Sequence, residues 1–248
     1  MNLEDKAAIV TGASSGIGRA IAVRLATAGA RVVVSDVDEE GGAETVELIT
    51  GQGGQAFFFE ADTSKPQDNE NLVKEAEKRF GALHIAVNNA GIGGPSAPVA
   101  DYPLDGWEKV LAINLSGVFY GMRFQIPAMK RTGGGSIVNM ASILGQVGFR
   151  GSCAYVAAKH GVVGLTKNAA LEYAPQGIRV NSVGPAFIKT PLVDSLDEKT
   201  KSGLVDLHPI GRLGEASEVA ELVVWLASDE ASFVTGAYYA VDGGYLAQ

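Results

Sequence analysis

Tyr155 and Lys159 stand four residues apart in a stretch of helical composition, Tyr155-Val156-Ala157-Ala158-Lys159. Residues at i and i+4 share a helix face, so a phenol and an ammonium can project into one site. A neighbouring ammonium favours the phenolate and lowers a pKa that is about 10 in model compounds. That is expected to bring Tyr155 toward use as a general base near neutral pH. The pair alone arises readily by chance on exposed helices. Ser142, thirteen positions before Tyr155, gives it weight. At the end of an expected strand, its hydroxyl can reach the same carbonyl oxygen and hold a substrate while Tyr155 moves a proton. Asn114 is a polar residue among apolar ones (Val110, Leu111, Ile113, Leu115) in the helix-like stretch 104–130. By itself it reads equally as a core amide satisfied by backbone.

A second group of residues can hold a phosphate. Thr11-Gly12-Ala13-Ser14-Ser15-Gly16-Ile17-Gly18 follows the first strand-like run and leads into an amphipathic helix. Glycines there allow a tight turn and a close backbone approach to pyrophosphate, and the helix N-terminus adds its positive end. Asp36 ends the second strand-like run, eighteen positions beyond Gly18. An acid there accepts both hydroxyls of an adenosine ribose and repels a 2′-phosphate. Its neighbours Val37 and Asp38 supply no arginine, so NAD is expected rather than NADP. Asp62-Thr63 falls where an adenine edge would lie, and reads equally as a helix N-cap before Pro66. Asn88-Asn89-Ala90-Gly91 closes the fourth strand-like run, as ligand-side backbone, structural turn or both.

The elements that would position these groups alternate between short β-branched runs and longer helical ones. Strands are expected at 6–11, 31–36, 55–60, 83–88, 136–141, 178–183 and 238–241, and helices at 16–28, 39–50 and 66–80. The strands are apolar almost throughout, as strands are when both sheet faces are covered. Strand–helix alternation implies right-handed crossovers and a parallel sheet. The expectation is one α/β domain over 1–248, a Rossmann-type doubly wound sheet of about seven strands flanked by helices. Two stretches resist regular assignment, 91–103 and 184–214, and the second, with Pro185, Pro191 and Pro209, reads as a substrate lid over 186–214.

Composition narrows the functional classes. The 248 residues include 32 glycines without a collagen period, and the net charge is −8. A surface acidic in bulk repels nucleic-acid backbones and anionic lipid, so neither is an expected partner. Cys153 is the single cysteine, and His84, His160 and His208 are scattered, so no disulfide framework and no metal site is expected. No apolar run approaches the roughly 20 residues needed to span a bilayer. The opening residues Met1–Lys6 do not read as a secretory signal, and the cytoplasm is the default location.

Taken jointly, Thr11-Gly12-x-x-x-Gly16-x-Gly18, Asn88-Asn89-Ala90-Gly91, Asn114, Ser142 and Tyr155-x-x-x-Lys159 resemble the classical short-chain dehydrogenases/reductases. The resemblance runs from the first strand to Asp242-Gly243-Gly244. It implies a catalytic tetrad of Asn114, Ser142, Tyr155 and Lys159. It also implies that Lys159 holds the nicotinamide ribose and that Asn114 holds a water in a proton relay. Ile188 and Thr190, after Pro185, would contact the nicotinamide carboxamide, and the family's usual assembly is a homotetramer. The family usually reads Pro-Gly where this chain has Pro185-Ala186, which puts the local backbone and cofactor pose in question.

The function expected on these grounds is NAD(H)-dependent interconversion of a secondary alcohol and its ketone, with Tyr155 as general acid/base. An NAD(H)-binding sensor or scaffold without turnover is the alternative from another class, since fold alone decides nothing. A lyase or epimerase relative is a third, though such relatives usually carry longer C-terminal substrate domains. Gly93, Gly94, Gln146, Val147, Phe149, Ser152, Ala186, Phe187 and the segment 192–207 are the candidate substrate pocket. They are mostly apolar and offer no cation poised for a carboxylate, so a neutral, fairly hydrophobic alcohol or ketone is expected.

Overall fold

A computed structural model describes residues 1–190, 193 and 197–248. Seven strands form one sheet in the order β3-β2-β1-β4-β5-β6-β7, and every neighbouring pair runs parallel. They are β1 (Ala7–Thr11), β2 (Arg31–Asp36), β3 (Gln55–Glu60), β4 (Ile85–Asn88), β5 (Gly135–Met140), β6 (Ile178–Pro185) and β7 (Tyr238–Val241). Helices α1 (Gly16–Thr27), α2 (Glu39–Gly51) and α3 (Pro66–Phe80) follow the first three strands. After β4 come α4 (Leu104–Leu111) and α5 (Gly117–Arg131), then α6 (Cys153–Tyr173) after β5. Beyond β6 lie α7 (Glu198–Asp206) and α8 (Ala216–Ala227).

Successive strand residues face opposite sides, and each side has its own core. Ala8, Val10, Val32, Val34 and Val138 pack against α1 and α8 through Ile21, Leu25, Val219 and Val223. The alternate residues Ile9, Val33 and Ile137 pack on the other side against Leu72, Val73, Met122, Met129 and Val162. With both faces covered, the strands need no polar alternation, which is why they read as continuous apolar runs. Among the described residues no helix is long and apolar enough to cross a membrane.

Two elements differ from expectation. The stretch 104–130 is not one regular helix: a π-helical segment, Ala112–Ser116, joins α4 to α5 and carries Asn114. Segment 184–214 is not wholly irregular, because it contains α7. There the Asp197 side chain accepts the Thr200 N–H at 3.0 Å and caps the helix. Residues 191, 192 and 194–196 of the expected lid lie outside the described ones.

A buried polar cluster fixes the carboxyl ends of β4 and β5, where the candidate site lies. Asn88 donates through Nδ2 to Asn139 Oδ1 at 2.9 Å and to Gln125 Oε1 at 3.1 Å. Gln125 Nε2 returns a bond to Asn88 Oδ1 at 2.8 Å, and Asn139 Nδ2 reaches Thr166 Oγ1 at 3.0 Å. Two strands and two helices are thereby tied by side chains that are almost fully buried. Low local dielectric strengthens such bonds and makes a lost partner costly. Asn139→Ala removes two of these bonds and leaves a small void, so unfolding titrations should show stability lowered by about 2–3 kcal/mol.

Candidate active site

The sheet reverses its strand order between β1 and β4, and a cleft opens there at the carboxyl ends of the strands. Such a crevice is where ligands bind in open α/β sheets. Asn89 closes its floor. Its Nδ2 donates to Thr11 O at 2.9 Å and to Gly12 O at 3.0 Å, while its N–H reaches Thr11 Oγ1 at 3.0 Å. Gly12 lies in the left-handed region at φ 65°. A Cβ on Gly18 would lie 2.0 Å from Gly12 O, so only glycine lets α1 start this close to the turn. Ser15 caps α1 without a side-chain bond, and no acidic residue occupies the first turn. The helix therefore offers its first N–H groups and its positive end to a ligand.

Asp36 stands at one end of the cleft. Its Oδ2 accepts the Ser14 N–H at 3.0 Å, and Oδ1 accepts the Val37 N–H at 2.8 Å. These bonds fix the carboxylate beside Val37 on the cleft wall, where no arginine is among the described lining residues. Arg19, near the start of α1, is bonded instead to Ser14 O, Glu44 and Thr45. Asp62 and Thr63 also line the cleft. Asp62 accepts from Ser64 N at 3.0 Å and from Ser64 Oγ, while Lys65 is the N-cap of α3. The N-cap reading of Asp62-Thr63 is therefore replaced by a turn one step earlier.

At the other end, Ser142 follows β5 and accepts the Leu144 N–H at 3.2 Å. The first two turns of α6 bring Tyr155 and Lys159 to the same wall. Lys159 Nζ lies 5.4 Å from the centre of the Tyr155 ring and donates to Met140 O at 2.7 Å. An ammonium has three donors, and no second protein partner for this one is found among the described residues. Burial pulls Lys159 down to about 8.

The expected lowering of the Tyr155 phenol is not what the structure gives. Burial pushes it up, and the nearby Ser142 hydroxyl only partly opposes that. The ammonium points to the Met140 carbonyl rather than the phenol, so desolvation wins.

Asn114 is fully buried and does not line the cleft. Its amide closes a pair of 2.8 Å bonds with the N–H and C=O of Ile92, the backbone-satisfied core amide of the sequence reading. The other proposed tetrad members, Ser142, Tyr155 and Lys159, do share the cleft. So does every residue expected to hold the cofactor: Gly12, Ser14 to Gly18, Asp36, Asp62, Thr63, Asn89 to Gly91, Pro185, Ile188 and Thr190.

The cleft holds about 600 Å3 and is lined also by Ile92, Gly93, Ile113, Ile143, Leu144, Phe149, Ser152, Ala186, Phe187 and Val193. Gly94, Gln146 and Val147 were expected there and do not line it. Ile92, Ile113, Ile143 and Leu144 do, and isolated apolar residues carry no sequence signal that could have named them. Ala186 lies outside the left-handed region, so its methyl introduces no backbone strain where glycine is usual. Phe149 packs at 5.9 Å from Phe187, which packs at 5.8 Å from His208. His208 is buried; its Nδ1 pairs with Leu204 O at 2.7 Å and its Nε2 accepts the Phe187 N–H at 3.4 Å. Lys189 is paired with Glu215.

Comparisons with known proteins fit this geometry. A family model described as enoyl-(acyl carrier protein) reductase matches residues 12–246. A cyclohexanol dehydrogenase of Acinetobacter sp. (strain SE19) is 51% identical over 241 residues, covering 97% of this chain and 95% of that one. The crystal structure of a levodione reductase superposes with a TM-score of 0.96 at 38% identity, covering 99% of each chain. A putative 2-deoxy-d-gluconate 3-dehydrogenase from Agrobacterium tumefaciens, with bound NADP, superposes at 0.93 and 36% identity over 100% of this chain and 98% of that one. With likeness of this extent in sequence and in fold, the chain belongs to the classical short-chain dehydrogenases/reductases and is an oxidoreductase of that family.

Proposed function

We propose that the protein interconverts a neutral cyclic secondary alcohol and its ketone with NAD(H). One observation carries the reading: a single cleft joins Asp36 and the glycine turn at one end to Ser142, Tyr155 and Lys159 at the other. The residues fit a dinucleotide, since a glycine floor, free helix N–H groups and a buried cation with spare donors follow one another along it. When bound, the nicotinamide supplies the hydride acceptor for oxidation or the donor for reduction.

Tyr155 takes the alcohol proton in oxidation and returns it to the carbonyl oxygen in reduction. Ser142 hydrogen-bonds that same oxygen and holds it against the phenol. Lys159 directs its two remaining donors to the nicotinamide ribose. A phenol raised by burial is protonated at neutral pH, which suits ketone reduction; alcohol oxidation should gain as pH rises. With its amide engaged by Ile92, Asn114 holds the relay water through its main-chain carbonyl in this reading. Pro185, Ile188 and Thr190 bound the carboxamide side.

Asp36 supports NAD over NADP, because a fixed carboxylate on a cleft wall with no arginine among its described lining residues repels a 2′-phosphate. The ring class follows from the cyclohexanol dehydrogenase relative together with the apolar wall around Phe149 and Phe187. Residues 186–214 serve as the lid in this reading. The protein assembles as a cytoplasmic homotetramer, with α5 and α6, where Phe119 and Leu171 are exposed, packed between subunits.

Tyr155→Phe should cut turnover of cyclohexanol by about three orders of magnitude or more while NADH still binds, as followed by its fluorescence. Turnover near wild type in that variant would exclude the mechanism. Asp36→Ala is expected to shift kcat/KM toward NADP; an unchanged ratio contradicts ribose recognition by Asp36. A third outcome concerns stability. The Lys159 ammonium loses its proton near 8 when folded, against 10.5 in the unfolded chain. The folded state therefore resists its charge, at a cost fully present below pH 8 and relieved as pH rises to about 10.5. That cost is about 3 kcal/mol, so Lys159→Met should raise the Tm of the cofactor-free protein by about 6–12 °C at pH 7 and abolish turnover.

A further inference from the structure

β7 is the edge strand farthest from the glycine turn, yet one of its side chains reaches the loop that carries Ser142. The Tyr238 hydroxyl donates to the main-chain oxygen of Ser142 at 3.0 Å. The same oxygen accepts the Gly145 N–H at 2.8 Å, so both lone pairs of that carbonyl are engaged. With the Leu144 N–H on its Oγ, Ser142 is held through backbone and side chain alike, in extended conformation at φ −174° and ψ 164°.

The phenol reaches Ser142 across Gly184. A Cβ on Gly184 would lie 2.0 Å from the Tyr238 hydroxyl oxygen and 2.3 Å from the ring carbon bearing it. The bond therefore depends on residue 184 having no side chain. Burial, helped by the Asp242 carboxylate, pushes the Tyr238 phenol up to about 12, so it stays a donor across the working range. Tyr238 is not among the residues lining the cleft, and it is placed to act through Ser142 rather than on a substrate.

We propose that Tyr238 is a positioning residue for Ser142: its hydroxyl fixes the peptide that aims Ser142 Oγ at the substrate oxygen. The inference rests on the reading of Ser142 given above. Without the phenol one donor is left on that carbonyl, the peptide gains freedom to tilt, and Oγ leaves its best position. Small misplacements of this kind lower rate more than affinity.

The test is a double-mutant cycle on cyclohexanol oxidation with the wild type, Tyr238→Phe, Ser142→Ala and the double variant. Tyr238→Phe keeps the ring and should lower kcat about tenfold with KM for NAD unchanged. In the Ser142→Ala background the same change should cost less than about twofold, because the group it positions is gone. Gly184→Ala, which displaces the phenol, should reproduce the loss and add little to Tyr238→Phe. An unchanged kcat in Tyr238→Phe, or an equal loss in both backgrounds, overturns the inference while leaving the reading of Ser142 intact. Full activity in Ser142→Ala, or no turnover of any secondary alcohol by the wild type, overturns that reading and the inference with it.

Discussion

The whole site depends on the parting of two parallel strands. β1 and β4 are hydrogen-bonded neighbours, but the chain beyond β1 turns one way along the sheet and the chain beyond β4 the other. That divergence opens a crevice, and the crevice would splay without a tie across it. Asn89 supplies the tie, with its amide on Thr11 O and Gly12 O. Once the turn is held there, α1 begins where its N–H groups face the cleft. Asp36 is fixed by the Ser14 N–H of the same turn. On the far side, the Asn88–Asn139 pair ties the end of β4 to β5, and β5 delivers Ser142.

A second constraint is the burial of a cation. Lys159 lies almost wholly inside the protein with one carbonyl as its partner. Desolvation opposes its charge and that of the Tyr155 phenolate in opposite directions, pulling one pKa down and the other up. Groups adjusted in this way are expensive for a fold and useful to a reaction. Tyr155 packs against the cluster of Tyr102, Val110, Ala154 and Ala158, and Ile92 beside that cluster also lines the cleft.

Much of this was legible in the sequence, for identifiable reasons. β2, β3 and β7 have the predicted bounds because their apolar runs end abruptly at polar or glycine-rich turns. The residues lining the glycine-turn end of the cleft are legible by their order, since a glycine turn between strand and helix and an acid at the next strand end are local patterns. What escaped was three-dimensional. The π segment around Asn114 keeps a helical apolar pattern and hides its extra residue. α7 contains Thr200, Ser202 and Gly203, poor helix formers, and is secured by its Asp197 cap. The rise of the Tyr155 pKa depends on burial and on where the Lys159 ammonium points, neither of which spacing reveals. His208 and Tyr238 contact Phe187 and Ser142 from elements distant in sequence, so no motif announces them.

The central claim is that one cleft brings a secondary carbinol carbon to a nicotinamide for hydride transfer. Cyclohexanol carrying deuterium on its carbinol carbon tests this directly, with NAD as acceptor and mass analysis of the reduced cofactor. The account predicts one deuterium in each NADH formed, with none lost to water. Unlabelled NADH, or no NADH at all, would contradict it.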